Sequence, residues 1–131
     1  MPNNEADAVI KKVLVVDDEP RIRELGEVAL SRHPALEAIV AADGPSAIEL
    51  CRSVHPDLVL LDIMMPGMDG YDVCRTLKGD PATAGIKIVV LTAFAQQATM
   101  QQALAAGADD YMTKPFRPAQ LVEKALALLG V

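Results

Sequence analysis

Five short apolar runs constrain the fold of this chain more than any other feature of its sequence. They occupy residues 13–16, 37–41, 58–61, 86–91 and 110–113, and a segment with helical spacing follows each of them. Runs such as LVLL and IVVL are apolar throughout instead of alternating with polar residues. Such strands are typical of a parallel sheet that helices cover on both faces. The sequence therefore predicts a doubly wound α/β fold with five strands.

The segments between the apolar runs carry helix start and stop signals. Pro20 stands at the beginning of the first helix, and Asp69 is a candidate N-cap for the third. The fourth helix is predicted over residues 97–106, because Gly107 is a candidate for the position after its end. The last helix is predicted over residues 118–129. Each strand is thus paired with one helix, as in a βα repeat.

Length and composition favour one acidic domain. The chain has 131 residues, of which 51% are hydrophobic, and residues 1–10 are expected to form a flexible tail before a domain at 11–131. The formal net charge of −6 and the lack of a basic cluster with aromatics argue against direct nucleic-acid binding. No apolar run reaches the roughly 18 residues of a membrane span, and no signal peptide is evident. We therefore expect a cytoplasmic protein that does not associate with membranes.

Polar side chains stand where four of the predicted strands end. Asp17 and Asp18 follow the first strand, Asp62 the third, Thr92 the fourth and Lys114 the fifth. In open parallel sheets, ligand chemistry collects beyond the carboxyl ends of the strands. Singly, an acid could cap a helix and a lysine could be an ordinary surface residue. Together, the five residues predict a site at one edge of the sheet.

The predicted site has the composition of a phosphate centre that depends on a divalent metal. Three converging carboxylates repel one another unless a cation is present, and an all-oxygen ligand set suits Mg²⁺ better than zinc. Asp62 is the natural nucleophile, since a carboxylate can accept a phosphoryl group as an acyl phosphate. Lys114 and Thr92 would supply a cation and a hydroxyl donor.

Four motifs in order give the chain a family resemblance. They are VLVVDDEP, DLVLLDIMMPGMDG, VVLTA and AGADDYMTKPF, and the likeness runs from about residue 12 to 129. In these motifs the chain resembles the response-regulator receiver domains of bacterial two-component systems, including those similar to the chemotaxis regulators. The resemblance implies a flavodoxin-like sheet with strand order 2-1-3-4-5.

The resemblance also implies a role for each residue at the strand ends. Asp62 would be the phosphoacceptor. Asp18 and Asp62 would ligate Mg²⁺ together with the main-chain carbonyl of Met64, while Asp17 would act mostly through a metal-bound water.

Switching residues are implied in the same way. The Thr92 hydroxyl would move towards the phosphoryl group, and Lys114 would form a salt bridge to that group. Tyr111 would turn inward when Thr92 moves. A cis peptide at Lys114–Pro115 would aim the lysine into the site. From the residues alone, Tyr111 is instead a half-buried strand aromatic with a core role.

Two positions that flank the reaction in this family carry apolar side chains here, Met64 and Phe94. Neither a thioether nor a phenyl ring can orient an attacking water, and both would shield an acyl phosphate. We therefore expect slow self-dephosphorylation.

The function implied is a switch and not a turnover enzyme. A sensor histidine kinase or phosphotransfer protein would phosphorylate Asp62, with at most slow autophosphorylation from small donors. The surface of the fourth helix, fifth strand and fifth helix would then change for a downstream effector protein or output domain. The fourth helix is rich in glutamine and has no charged residue, so a monomer is expected rather than a dimer joined by charge networks.

Three other functions remain as alternatives. A flavodoxin-like cofactor binder would need a phosphate loop where Asp17 and Asp18 stand. A phosphohydrolase of the aspartyl-phosphate type would carry a second Asp at the position of Met64. A degenerate receiver, acting as a docking module independent of phosphorylation, would be expected to lose a chemical residue, yet Asp62, Thr92 and Lys114 are all present.

Overall fold

A computed structural model describes residues 9–93 and 96–131 of the chain. Five parallel strands form one sheet in the order β2-β1-β3-β4-β5. This arrangement confirms the predicted order. The strands are β1 (Lys11–Val16), β2 (Leu36–Ala41), β3 (Leu58–Asp62), β4 (Lys87–Thr92) and β5 (Asp110–Thr113).

Among the described residues, five helices cover the two faces of the sheet. One apolar layer is formed with α1 and α5, and the other with α2, α3 and α4. This division is the doubly wound arrangement that the apolar strands predict. The helices are α1 (Pro20–Ser31), α2 (Gly44–Val54), α3 (Gly70–Gly79), α4 (Gln97–Ala105) and α5 (Pro118–Leu129).

Strand β3 shows why the apolar runs do not alternate with polar residues. Leu58 and Leu60 belong to the layer with α1 and α5, whereas Val59 and Leu61 belong to the layer with α2, α3 and α4. All four side chains are fully buried. A strand packed on both faces needs apolar residues at every position, and its first polar residue therefore marks its end.

The predicted helix boundaries agree with the structure to within about a residue, within the usual uncertainty of helix ends. The Asp69 carboxylate accepts a hydrogen bond from the Asp72 amide at 3.0 Å, which confirms Asp69 as the N-cap of α3. Gly107 follows α4 with φ of +108°, a backbone conformation that favours glycine. Within the described ranges, no helix has the length and apolarity that a membrane crossing requires.

Gly70 sets how closely α3 approaches the end of β3. A Cβ atom at this position would lie 2.5 Å from the carbonyl oxygen of Asp62 and 2.7 Å from the Cα of Ile63. The Gly70 amide also donates to the Ile63 carbonyl at 3.0 Å. Only glycine allows this backbone approach, which fixes the segment that carries Asp62.

Gly70→Ala is therefore expected to destabilise the fold by about 1–2 kcal/mol, because the backbone clash outweighs the gain in helix propensity. Gly79→Ala, in the same helix, is the matched control, since nothing lies within 4 Å of its added Cβ. Urea unfolding of the two variants measures the difference. Equal free energies of unfolding would show that the contact at Gly70 is unimportant.

Candidate functional site

Three carboxylates meet at the carboxyl end of the sheet. One carboxylate oxygen from each of Asp17, Asp18 and Asp62 lies within 4.8 Å of the other two. Asp17 and Asp62 are buried, and Asp18 is exposed. They meet because β1 and β3 are neighbouring parallel strands that end at the same edge. The predicted acidic cluster is thus present in the structure.

Lys114 joins two of these carboxylates. Its Nζ lies 2.8 Å from Oδ2 of Asp17 and 3.3 Å from Oδ1 of Asp62. It follows β5, and its peptide bond to Pro115 is cis, as the family resemblance implies. The lysine therefore lies closer to Asp17 than to the predicted phosphoacceptor, and it holds the two buried acids together.

The electrostatics of the site favour an added positive charge. Burial, reinforced by the negative charge of Asp17, raises the pKa of Asp62 to about 6, although Lys114 and the Met64 amide act to lower it. Burial alone would lower the pKa of Lys114, but its contacts with Asp17 and Asp62 outweigh that effect and raise it. One lysine thus only partly offsets three carboxylates.

Backbone amides and one arginine fix the acids in place. Oδ1 of Asp17 accepts from the Glu19 amide at 2.9 Å, and Oδ1 of Asp62 accepts from the Met64 amide at 3.2 Å. Nη1 of Arg23 donates to the Asp17 carbonyl at 2.7 Å. Arg23 was not predicted as part of the site. The sequence does place this arginine in the first turn of α1, close after Asp17, and that position could have suggested a contact with the site.

A small cavity of about 380 Å³ opens beside Asp18 and Asp62. The exposed Asp18 and Met64 lie at it, next to Asp62 and Lys114. Its full lining is Asp18, Glu19, Asp62, Met64, Ala93 and Lys114. The donors are oxygens, so the residues fit a hard divalent cation such as Mg²⁺, which keeps several waters and takes phosphate oxygens as further ligands. An acidic, partly open pocket of this kind can receive a metal and a phosphoryl group.

The structure places the predicted switch residues at different depths. Thr92 is buried at the end of β4, directly after Leu91, which is the register partner of Asp62. Tyr111 is half-buried on β5 and packs against the layer with α2, α3 and α4. Tyr111 does not line the carboxylate cavity. Phe94 lies outside the described residues.

Most of the chain is similar to proteins of one family. The family model for the response regulator receiver domain matches residues 13–126. The DNA-binding response regulator MtrA of Mycolicibacterium smegmatis is 43% identical over 123 residues, which are 94% of this chain and 52% of MtrA. The probable transcriptional regulator ycf27 of Cyanophora paradoxa is 44% identical over 119 residues, 91% of this chain and 48% of ycf27.

Solved structures give the same result for the fold. The chemotaxis response regulator CheY4 of Vibrio cholerae superimposes with a TM-score of 0.86 at 28% identity, covering 92% of this chain and all of CheY4. By contrast, the chain spans about half the length of MtrA and ycf27. The sequence, the strand order and the three carboxylates at the end of the sheet all agree with this family. The chain therefore belongs to the response regulator receiver domains, the phosphoacceptor switches of two-component signalling.

Proposed function

We propose that Asp62 is the residue of this receiver domain that accepts the phosphoryl group. The observation that carries the assignment is the cluster of Asp17, Asp18 and Asp62 oxygens within 4.8 Å, with Lys114 bonded to two of them. Within that cluster, Asp62 ends a buried strand and faces the cavity. Its pKa of about 6 leaves it mostly ionised at neutral pH, as a nucleophile must be.

In the proposed reaction, an Asp62 carboxylate oxygen bonds to phosphorus while the bond from phosphorus to the donor's leaving group breaks. Asp18, Asp62 and the Met64 carbonyl would hold Mg²⁺, with Asp17 acting through a water. The bound ion would neutralise the transferring oxygens. Once Asp62 is phosphorylated, it no longer carries the carboxylate charge that pairs with Lys114. Lys114 would then pair with the phosphoryl group, and the Thr92 hydroxyl would donate a hydrogen bond to the phosphoryl group.

Incubation with acetyl phosphate and Mg²⁺ tests this assignment. We expect intact mass spectrometry to show one added phosphoryl group on the parent and none on Asp62→Asn. Asp72→Asn is the matched control, because the Asp72 side chain is 45% exposed and its ion pair with Arg75 lies on the surface of α3. An adduct that persists on Asp62→Asn, or is missing from the parent, would contradict the proposal.

The acyl phosphate is expected to be long-lived, since Met64 offers no group that could orient an attacking water and Phe94 is also apolar in the sequence. We expect the double variant Met64→Asn with Phe94→Glu to lose its phosphoryl group on the order of ten-fold faster or more. A timed decay of the phosphoprotein measures this. Decay at the parent rate would show that these side chains do not set the lifetime.

The proposed partners follow from the switch. A sensor histidine kinase or phosphotransfer protein would supply the phosphoryl group in the cytoplasm, and an effector protein or output domain would respond to the changed α4, β5 and α5 surface. We propose that this domain does not itself contact DNA, in keeping with its net charge of −6.

We also propose that the domain is a monomer. Two acids near β5 pair within the chain. Asp109, directly before the strand, lies 3.1 Å from Lys78, and Asp110, the first residue of the strand, lies 3.0 Å from Lys124. Helix α4 contains no charged residue. Few charges on this surface are thus available to pair with a second copy. Sedimentation of the phosphorylated domain is expected to show one species of monomer mass, and a dimer would contradict this.

A further inference from the structure

One methionine differs in exposure from the other described methionines. Met64 is 60% exposed, whereas Met65 and Met112 are 7% and 9% exposed and Met68 and Met100 are half-buried. Oxidation of methionine by peroxide follows the access of solvent to the sulfur. Met64 is therefore the described methionine sulfur that a peroxide reaches first.

The two cysteines do not compete for the oxidant. Cys51 and Cys74 are both fully buried. Burial raises the pKa of each thiol to about 11, so neither forms the reactive thiolate at neutral pH. Among the described residues, the sulfur most open to peroxide is therefore the exposed thioether of Met64 and not either of the buried thiols.

Met64 is also placed where a change in polarity reaches the phosphoacceptor. It lines the cavity of about 380 Å³ together with Asp62 and Lys114. Its amide donates to Oδ1 of Asp62 at 3.2 Å, so its backbone position is fixed relative to the carboxylate. A water that reaches a phosphoryl group on Asp62 through this cavity would pass a wall that Met64 helps to form.

We propose that Met64 is an oxidation site, and that its sulfoxide shortens the lifetime of the phosphorylated state. A lone pair on the thioether sulfur attacks one peroxide oxygen. A sulfur–oxygen bond forms as the oxygen–oxygen bond breaks, so the sulfur is oxidised by two electrons and the peroxide is reduced to water. The inference rests on the proposed function of Asp62, because the lifetime of its acyl phosphate is the property that changes.

The expected direction of the change in phosphoryl lifetime follows from the chemistry of methionine and of its sulfoxide. A thioether is apolar and shields the pocket, whereas a sulfoxide oxygen is a strong hydrogen-bond acceptor that can hold a water beside the phosphorus. The sulfoxide is a weak base, so it orients water without fully taking its proton. We therefore expect a several-fold shorter half-life, and reduction of the sulfoxide by methionine sulfoxide reductase should restore it.

The first arm of the test maps oxidation. The unphosphorylated protein is treated with limiting hydrogen peroxide, and the sulfoxide at each methionine is quantified by peptide mass spectrometry. We expect Met64 to be oxidised before Met65, Met68, Met100 and Met112. Faster oxidation at any of these four would overturn the proposal. This arm needs no phosphorylation, so it does not depend on the role of Asp62.

The second arm measures phosphoryl decay before and after peroxide for the parent, Met64→Leu and Met64→Gln. We expect a several-fold faster decay only in the parent, because Met64→Leu keeps every other methionine but lacks this sulfur. Met64→Gln, a polar mimic of the sulfoxide, should decay faster than Met64→Leu without oxidant. An adduct whose lifetime is equal in oxidised and fresh parent, or is shortened by peroxide in Met64→Leu, overturns this proposal. A fresh parent that forms no adduct overturns the proposed function instead.

Discussion

Phosphorylation by acetyl phosphate in EDTA is expected to be slower than in Mg²⁺ by on the order of 10²-fold or more, since a metal ion supplies several kcal/mol of transition-state stabilisation. The cause is the geometry of the acids. An anionic donor must approach three carboxylates whose oxygens lie within 4.8 Å of one another. Lys114 contacts only two of them, Asp17 and Asp62. Intact mass against time, with and without EDTA, measures the ratio.

Asp18→Asn provides a matched variant for the metal effect. Asp18 is the exposed member of the cluster, so its replacement should leave the fold intact while weakening Mg²⁺ binding. We expect the melting temperature of the parent to rise when Mg²⁺ is added, and that of Asp18→Asn to rise less at the same concentration. Phosphorylation at an equal rate in EDTA and in Mg²⁺ would contradict a metal-dependent site.

Asp62→Asn is expected to stabilise the metal-free protein by up to about 3 kcal/mol near pH 8. The pKa of Asp62 in the fold is about 6, above its ordinary value, because of burial and the charge of Asp17. The uncharged form therefore contributes stability that is fully present below the unfolded pKa and is lost as the pH rises through about 6. Asparagine at position 62 cannot ionise, so the variant avoids the free-energy cost of a buried negative charge beside Asp17.

Thermal unfolding in EDTA across this pH range measures the effect. The difference between Asp62→Asn and the parent should shrink as the pH falls through about 6 and should approach zero only below about pH 3, where Asp62 is protonated in both the folded and the unfolded states. Saturating Mg²⁺ should also shrink it, because the ion binds the parent more tightly. Asp72→Asn, which changes an acid with a partly exposed side chain, should show no such pH dependence. A variant less stable than the parent near pH 8 in EDTA would show that Asp62 is not under electrostatic strain.

The sheet and the three carboxylates could be predicted because both depend on short-range patterns. Apolar runs mark the buried strands, and the first polar residue after each run marks the edge where Asp17, Asp62 and Thr92 stand. Parallel pairing then brings those ends together without further information. The family motifs added the order of the strands and the roles proposed for the residues.

Other features depended on distances that no pattern in the sequence reveals. The contact of Lys114 with Asp17 results from how the segment after β5 crosses the edge of the sheet. The bond from Arg23 to the Asp17 carbonyl depends on the angle at which α1 leaves β1. In the sequence, Gly70 is only the residue after the predicted N-cap Asp69, whereas in the structure it lies against the backbone of Asp62. Each is a product of tertiary packing.

The central claim is that Asp62 carries the phosphoryl group as an acyl phosphate, and reductive trapping tests it most directly. Borohydride reduces an aspartyl phosphate to homoserine but leaves a free carboxylate unchanged. After phosphorylation in Mg²⁺ and reduction, peptide mass spectrometry is expected to find homoserine at position 62 and aspartate at positions 17 and 18. Homoserine at another position, or aspartate at 62 in protein that had carried the adduct, would contradict the assignment.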